Sequence, residues 1–135
     1  MKKLTSIILI LFLSILSSPS WSETFDDLVE RDGLYYKKFT DVPFTGEIKS
    51  VKEQGSFKDG KEEGEWVSYY DNGQLWYKGE YKDGKEEGVW VSYYDNGLVN
   101  SKGEYKDGKK VGEWVSYWDN GQLFIKGEYK DGKEE

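Results

Sequence analysis

From Gly55 onward, large and polar side chains alternate in short runs, and the runs recur. Glu65-Trp66-Val67-Ser68-Tyr69-Tyr70 alternates, Asp71-Asn72-Gly73 breaks it, and Gln74-Leu75-Trp76-Tyr77-Lys78-Gly79-Glu80-Tyr81 alternates again before Lys82-Asp83-Gly84-Lys85. The Trp of the first run returns at Trp66, Trp90 and Trp114, and the Asp-Asn-Gly break at Asp71, Asp95 and Asp119, both in steps of 24 residues. Alternation at period two predicts strands, and short Asp/Asn-Gly breaks between them predict hairpins. Two strands and two reversals per step leave no room for a helix. The chain is therefore expected to be all-β, a single curved antiparallel meander of stacked hairpins with about nine strands. A unit of this size cannot bury its aromatic stripe alone, so the stack is what folds.

Alternation also sorts the faces. Trp66, Ser68 and Tyr70 are expected to share one face of the outgoing strand, opposite Val67 and Tyr69, while Leu75, Tyr77, Gly79 and Tyr81 share one face of the return strand, opposite Trp76, Lys78 and Glu80. Positions that persist along the array (Leu75/Val99/Leu123, Tyr81/Tyr105/Tyr129) read as packed. Those that drift (Trp76/Asn100/Phe124) read as solvated. The glycines after Gly46 fall on four columns headed by Gly55, Gly60, Gly64 and Gly73, where positive φ or close backbone approach is needed. Leu123 to Lys130 reads as an edge strand that Lys126, Glu128 and Lys130 protect.

Four segments follow. Residues 1–22 read as a secretory signal peptide: Met1-Lys2-Lys3 is basic, Leu4 to Leu16 is mostly apolar but too short to span a bilayer, and Ser20 and Ser22 suit cleavage after Ser22. Residues 23–33 form a leader, read as a short helix or an extended arm. Residues 34–58 read as a degenerate capping repeat, with Asp41 standing where Asp83 does and a shortened hairpin between Gly46 and Gly55. Residues 59–135 hold the regular repeats.

The formal charge of −7 becomes −9 once the first 22 residues, with Lys2 and Lys3 and no acid, are removed. An acidic chain disfavours nucleic acid and anionic membrane lipid as partners. There is no Cys and no His, so nucleophilic triads and His/Cys metal sites are absent. No catalytic residue, cofactor or metal is expected. The repeated Asp residues read as turn formers whose side chains bond their own backbone. The candidate binding surface is the aromatic set Trp66, Tyr70, Trp76, Trp90, Tyr94, Trp114 and Trp118. On an open face this set would stack on sugars or grip a peptide, and under a cover it would be core.

Gly79-Glu-Tyr-Lys-Asp-Gly-Lys-Glu-Glu-Gly-Val-Trp90 and Gly103-Glu-Tyr-Lys-Asp-Gly-Lys-Lys-Val-Gly-Glu-Trp114 resemble the MORN repeat in its bacterial variant form. The resemblance implies a curved sheet of hairpins, scaffolding, and kinship with antitoxin-like (YwqK-type) proteins. Glu63, Glu87 and Val111 stand where the family usually has His, which argues against lipid binding. The expected function is a non-enzymatic repeat protein, periplasmic or secreted, that binds another protein. The alternatives are a cell-wall carbohydrate binder and an immunity protein that neutralises a toxin.

Overall fold

The computed structural model describes residues 22–135. The expected signal peptide, save its last residue, lies outside the described residues. A 3-10 turn at Phe25–Asp27 leads into β1 (Leu28–Arg31) and β2 (Leu34–Lys37), which form a separate antiparallel hairpin. The remaining strands are β3 (Gly46–Lys49), β4 (Glu53–Lys58), β5 (Lys61–Tyr69), β6 (Leu75–Lys82), β7 (Lys85–Tyr93), β8 (Val99–Lys106), β9 (Lys109–Tyr117), β10 (Leu123–Lys130) and β11 (Lys133–Glu134). They form one nine-stranded antiparallel sheet in sequence order, open at β3 and β11. The sheet has the strand number and topology that the 24-residue pattern predicts.

Each repeat uses two reversals with different chemistry. At one end Lys82 pairs with Lys85 across Asp83-Gly84, and both turn residues have positive φ (51° and 76°). That is a type I′ turn, whose twist matches the strands it joins. At the other end Asp71-Asn72-Gly73 forms a three-residue loop. There Tyr70 N–H donates to Gln74 O and Gly73 N–H to Tyr70 O. The local side-chain bond is made by Asn72, whose Oδ1 accepts from Gln74 N at 2.9 Å, and Asn96 and Asn120 repeat it. This corrects the role expected for the neighbouring Asp. The amide oxygen two residues before the free N–H is the one within reach.

Between the reversals, Glu80 pairs with Glu87 and Lys78 with Val91, so Gly88, Val89 and Trp90 together oppose Gly79. Gly88 enters the left-handed region to make this bulge (φ 69°). A bulge re-aims the side chain beside it, and here it swings Trp90 across onto the neighbouring strand.

One face carries Trp66, Ser68, Tyr77 and Tyr81: alternation groups them within each strand, and the register that pairs Trp66 with Gly79 and Ser68 with Tyr77 puts the two groups on the same side. At its N-terminal end it becomes a core. Leu28, Ile48, Phe57 and Trp66 are buried there, with Phe25, Tyr35 and Phe44 packed on them. The segment expected to be a leader is therefore part of a lid: β1 pairs with β2, and Tyr35 N–H donates to Gly60 O at 2.7 Å. Likewise Leu34–Lys37 does not open the capping repeat beside β3 but folds back over the face. Phe39 has positive φ (66°), whereas Asp41 is not among the positive-φ residues and so does not imitate Asp83. The reverse face alternates Val67, Val91 and Val115 with Lys78, Lys102 and Lys126 across strands. At the far edge β11 pairs with Tyr129 and Lys130, leaving the rest of β10 as the edge.

Candidate binding surface

Beyond the lid, the same face continues as an aromatic ladder. Trp66, Tyr81, Trp90, Tyr105, Trp114 and Tyr129 follow one another edge to face, with ring centroids 5.5, 5.1, 6.0, 5.0 and 6.4 Å apart. Edge-to-face pairs of this kind exceed their area burial by about 0.5–1.5 kcal/mol each. The phenols of Tyr81, Tyr105 and Tyr129 were absent from the expected set, although their column persists in every repeat. Their constancy was the available signal.

The indoles lie flat. A Cβ on Gly79 would stand 2.2 Å from both Cδ2 and Cε2 of Trp90, the atoms shared by its two rings, and Gly103 has the same relation to Trp114. Only an approach from the ring face reaches those atoms first. The ring nitrogens fix the pose, Trp90 Nε1 donating to Glu80 O and Trp114 Nε1 to Glu104 O, each at 3.2 Å. One π-face is pressed on glycine and the other turns away from the sheet. Trp90 and Trp114 are separated by two strand spacings, roughly 10 Å.

The expected set divides. Trp66 is 2% exposed and belongs to the core, not to a surface. It lies on Gly55, and its Nε1 donates to Glu53 Oε1 at 3.1 Å. Tyr70 and Tyr94 tie repeats together: Tyr70 Oη–H donates to Tyr93 O and Tyr94 Oη–H to Tyr117 O, both at 2.8 Å. Asn72 and Asn96 add a second tie, donating to Asp95 O and Asp119 O. Trp118 occupies the column of those tyrosines, is 50% exposed, and packs on Phe124 at 4.3 Å. Trp76, also about half exposed, packs on Tyr70 and Tyr77 beside an open cleft of about 600 Å³. Trp90 and Trp114 are the members that share the open ladder.

Glu53 was not anticipated. It stands 24 residues before Tyr77, in the irregular first repeat, and its carboxylate accepts from both Trp66 Nε1 and Tyr77 Oη (3.2 Å). Burial, reinforced by the Glu53 charge, pushes the Tyr77 phenol up to about 12. Tyr81 and Tyr105 are also raised, by burial first and then by the Glu86 carboxylate. The acids at the atypical family position have a task as well. Glu63 Oε2 accepts from Asp83 N at 2.9 Å and Glu87 Oε2 from Asp107 N at 2.8 Å, each bracing the next Asp-Gly turn. Val111 cannot do so. Among the described residues no group of three or more His, Cys, Asp or Glu side chains is placed to hold a metal.

Residues 62–83, 86–107 and 110–131 each match the family model described as MORN repeat variant. The chain carries three consecutive MORN-variant repeats. Each matched segment begins where an outgoing strand leaves one Asp-Gly turn and ends at the Asp of the next. The MORN-variant unit thus contains one flat Trp and, eleven residues before the next Trp, the Gly that will carry it. No curated protein matches the chain.

Proposed function

We propose that this protein is a non-enzymatic interaction module, exported to the cell envelope, whose open aromatic face docks another protein. Repeats of this family commonly serve as modules for binding proteins and membranes, and the acidic balance favours the first. The observation that carries the reading is the asymmetry of the face. The aromatic stripe is lidded at Trp66, while the flat, pinned rings of Trp90 and Trp114 continue it beyond the lid. Rings held in place before binding lose little freedom when a partner arrives.

The test is capture from an envelope fraction by the full chain, with a Trp90→Ala/Trp114→Ala double variant as control. Recovery of a protein by the wild type but not by the double variant is expected. Equal recovery by both would place the contact elsewhere. Co-sedimentation with purified peptidoglycan that disappears in the double variant would redirect the reading to a cell-wall carbohydrate binder.

A further inference from the structure

The ladder already contains one bound cation of its own. Lys110 Nζ lies 4.2 Å from the centroid of the Trp114 ring and 5.2 Å from that of Tyr129. The inward face of Trp114 rests on Gly103, so this ammonium sits over the outward one, beside a phenol set edge to face (71°). Tryptophan is the ring that attracts an ammonium best, and an aromatic wall beside it shields the contact from water.

The preceding repeat builds a similar slot without the ammonium, with Tyr77 as an additional neighbour, stacked beside Trp90 at 27° and 5.9 Å where the next repeat has Ser101. Trp90 lies flat on Gly79, and Tyr81 and Tyr105 stand at 84° and 80° to it, with centroids 5.1 and 6.0 Å away. The residue that corresponds to Lys110 is Glu86, 24 positions earlier. Glu86 pairs with Tyr81 across the strands and reaches to 3.7 Å from the Cβ position of Gly108, beside Tyr105. Its charge holds both phenols above their ordinary range, after burial. One repeat further back stands another acid, Glu62, but there Trp66 is covered by Phe25.

We propose that the slot floored by Trp90, walled by Tyr81 and Tyr105 and rimmed by Glu86 receives a lysine or arginine side chain from a basic segment of the partner protein. This deepens the interaction reading above and rests on it. The incoming cation takes the place over Trp90 that Lys110 takes over Trp114, and Glu86 supplies the countercharge.

Two-dimensional NMR of the indole N–H groups in the full chain tests this, with Trp90 assigned from a Trp90→Phe variant. The probes are a short lysine peptide, its norleucine counterpart, and a chitooligosaccharide. The lysine peptide is expected to shift the Trp90 signal with about tenfold higher affinity than the norleucine peptide, within the range of a partly desolvated cation–π contact. Glu86→Lys should abolish the response, because an internal ammonium then fills the slot. Lys110→Glu should make the Trp114 signal responsive as well. Both variants keep residue types that the column already holds, and unchanged thermal unfolding confirms their fold.

A Trp90 signal indifferent to lysine, equally moved by norleucine or the sugar, or unchanged by Glu86→Lys would overturn the slot. Partner capture that survives Glu86→Lys overturns it too, while leaving the interaction reading intact. A lysine response in a protein that captures no partner supports the slot and sinks the broader reading.

Discussion

The indole of Trp90 rests on the bare Cα of Gly79, so close that a Cβ there would lie 2.2 Å from the ring. The same pairing joins Gly55 to Trp66 and Gly103 to Trp114, while a Cβ on Gly127 would meet the flexible tip of Glu134 at 2.9 Å and Tyr129 at an ordinary 3.7 Å. The glycine column is thus a row of seats, three of which are taken.

Alanine scanning of that column should separate the seats. Gly79→Ala and Gly103→Ala are expected to destabilise by about 3 kcal/mol, because the indole must leave its pinned pose or the strand must shift. Gly127→Ala should be within about 0.5 kcal/mol of wild type or slightly stabilising, since a flexible side chain moves aside and the unfolded chain loses freedom. Denaturant titration of the three variants measures the contrast, and equal losses at all three would refute the seating argument.

Tryptophan truncation should follow the lid. Trp66→Ala removes a buried ring and leaves Glu53 with one donor fewer, at a cost of about 3–5 kcal/mol. Trp114→Ala takes away a partly exposed ring and should cost about half as much. Thermal unfolding of the two variants checks the order. A Trp114→Ala loss as large as that of Trp66→Ala would mean that the open face is as heavily packed as the lidded one.

The ties between repeats predict a modest, repeated effect. Tyr70→Phe and Tyr94→Phe each delete one hydrogen bond to the next repeat, worth about 1 kcal/mol. The double variant should lose close to the sum, because the two hydroxyls share no partner. Trp118→Phe, at the place where no tie is made, should leave stability nearly unchanged. Denaturation midpoints of the four variants decide it.

Alkali should weaken the fold in a defined window. The Tyr77 phenol is raised from 10 to about 12 by burial and by Glu53. Above pH 10 the unfolded chain gives up that proton while the folded chain keeps it, so the folded form holds more protons. Stability is then fully present below pH 10 and declines as pH climbs towards 12. Tyr77→Phe should lessen the decline, the remainder coming from Tyr81 and Tyr105, at the cost of the Glu53 hydrogen bond. Urea midpoints at pH 8, 10 and 11 for both proteins test the sign.

What the sequence displays is the part of the structure that repeats. The step from Trp66 to Trp90 to Trp114 and the two kinds of break were enough to predict strand order and hairpin pairing, whereas the shared face of Trp66 and Tyr77 depends on the register that pairs Ser68 with Tyr77. The first irregular residues were opaque for the same reason. Leu28, Tyr35 and Glu53 act by reaching across the sheet to Phe57, Trp66 and Tyr77, and no periodicity encodes a contact made once. Tyr70 looked like Trp118 in the column, yet a hydroxyl meeting a carbonyl in the next repeat gives one of them a structural task. Lys110 and Glu86 were visible as a change of sign in a column. Only the flat pose of the rings beside them gives that change a chemical meaning.

Because the lid made by β1 and β2 sits at one end only, the ribbon resembles a zip fastened at the collar. Trp66 and Phe57 lie under that cover while Trp90 and Trp114 do not, so the rings most exposed to a visitor are also the ones with least to hold them. A visitor bridging Trp90 and Trp114 would act as a second clasp, and the whole strip would melt later for having been gripped where it is uncovered.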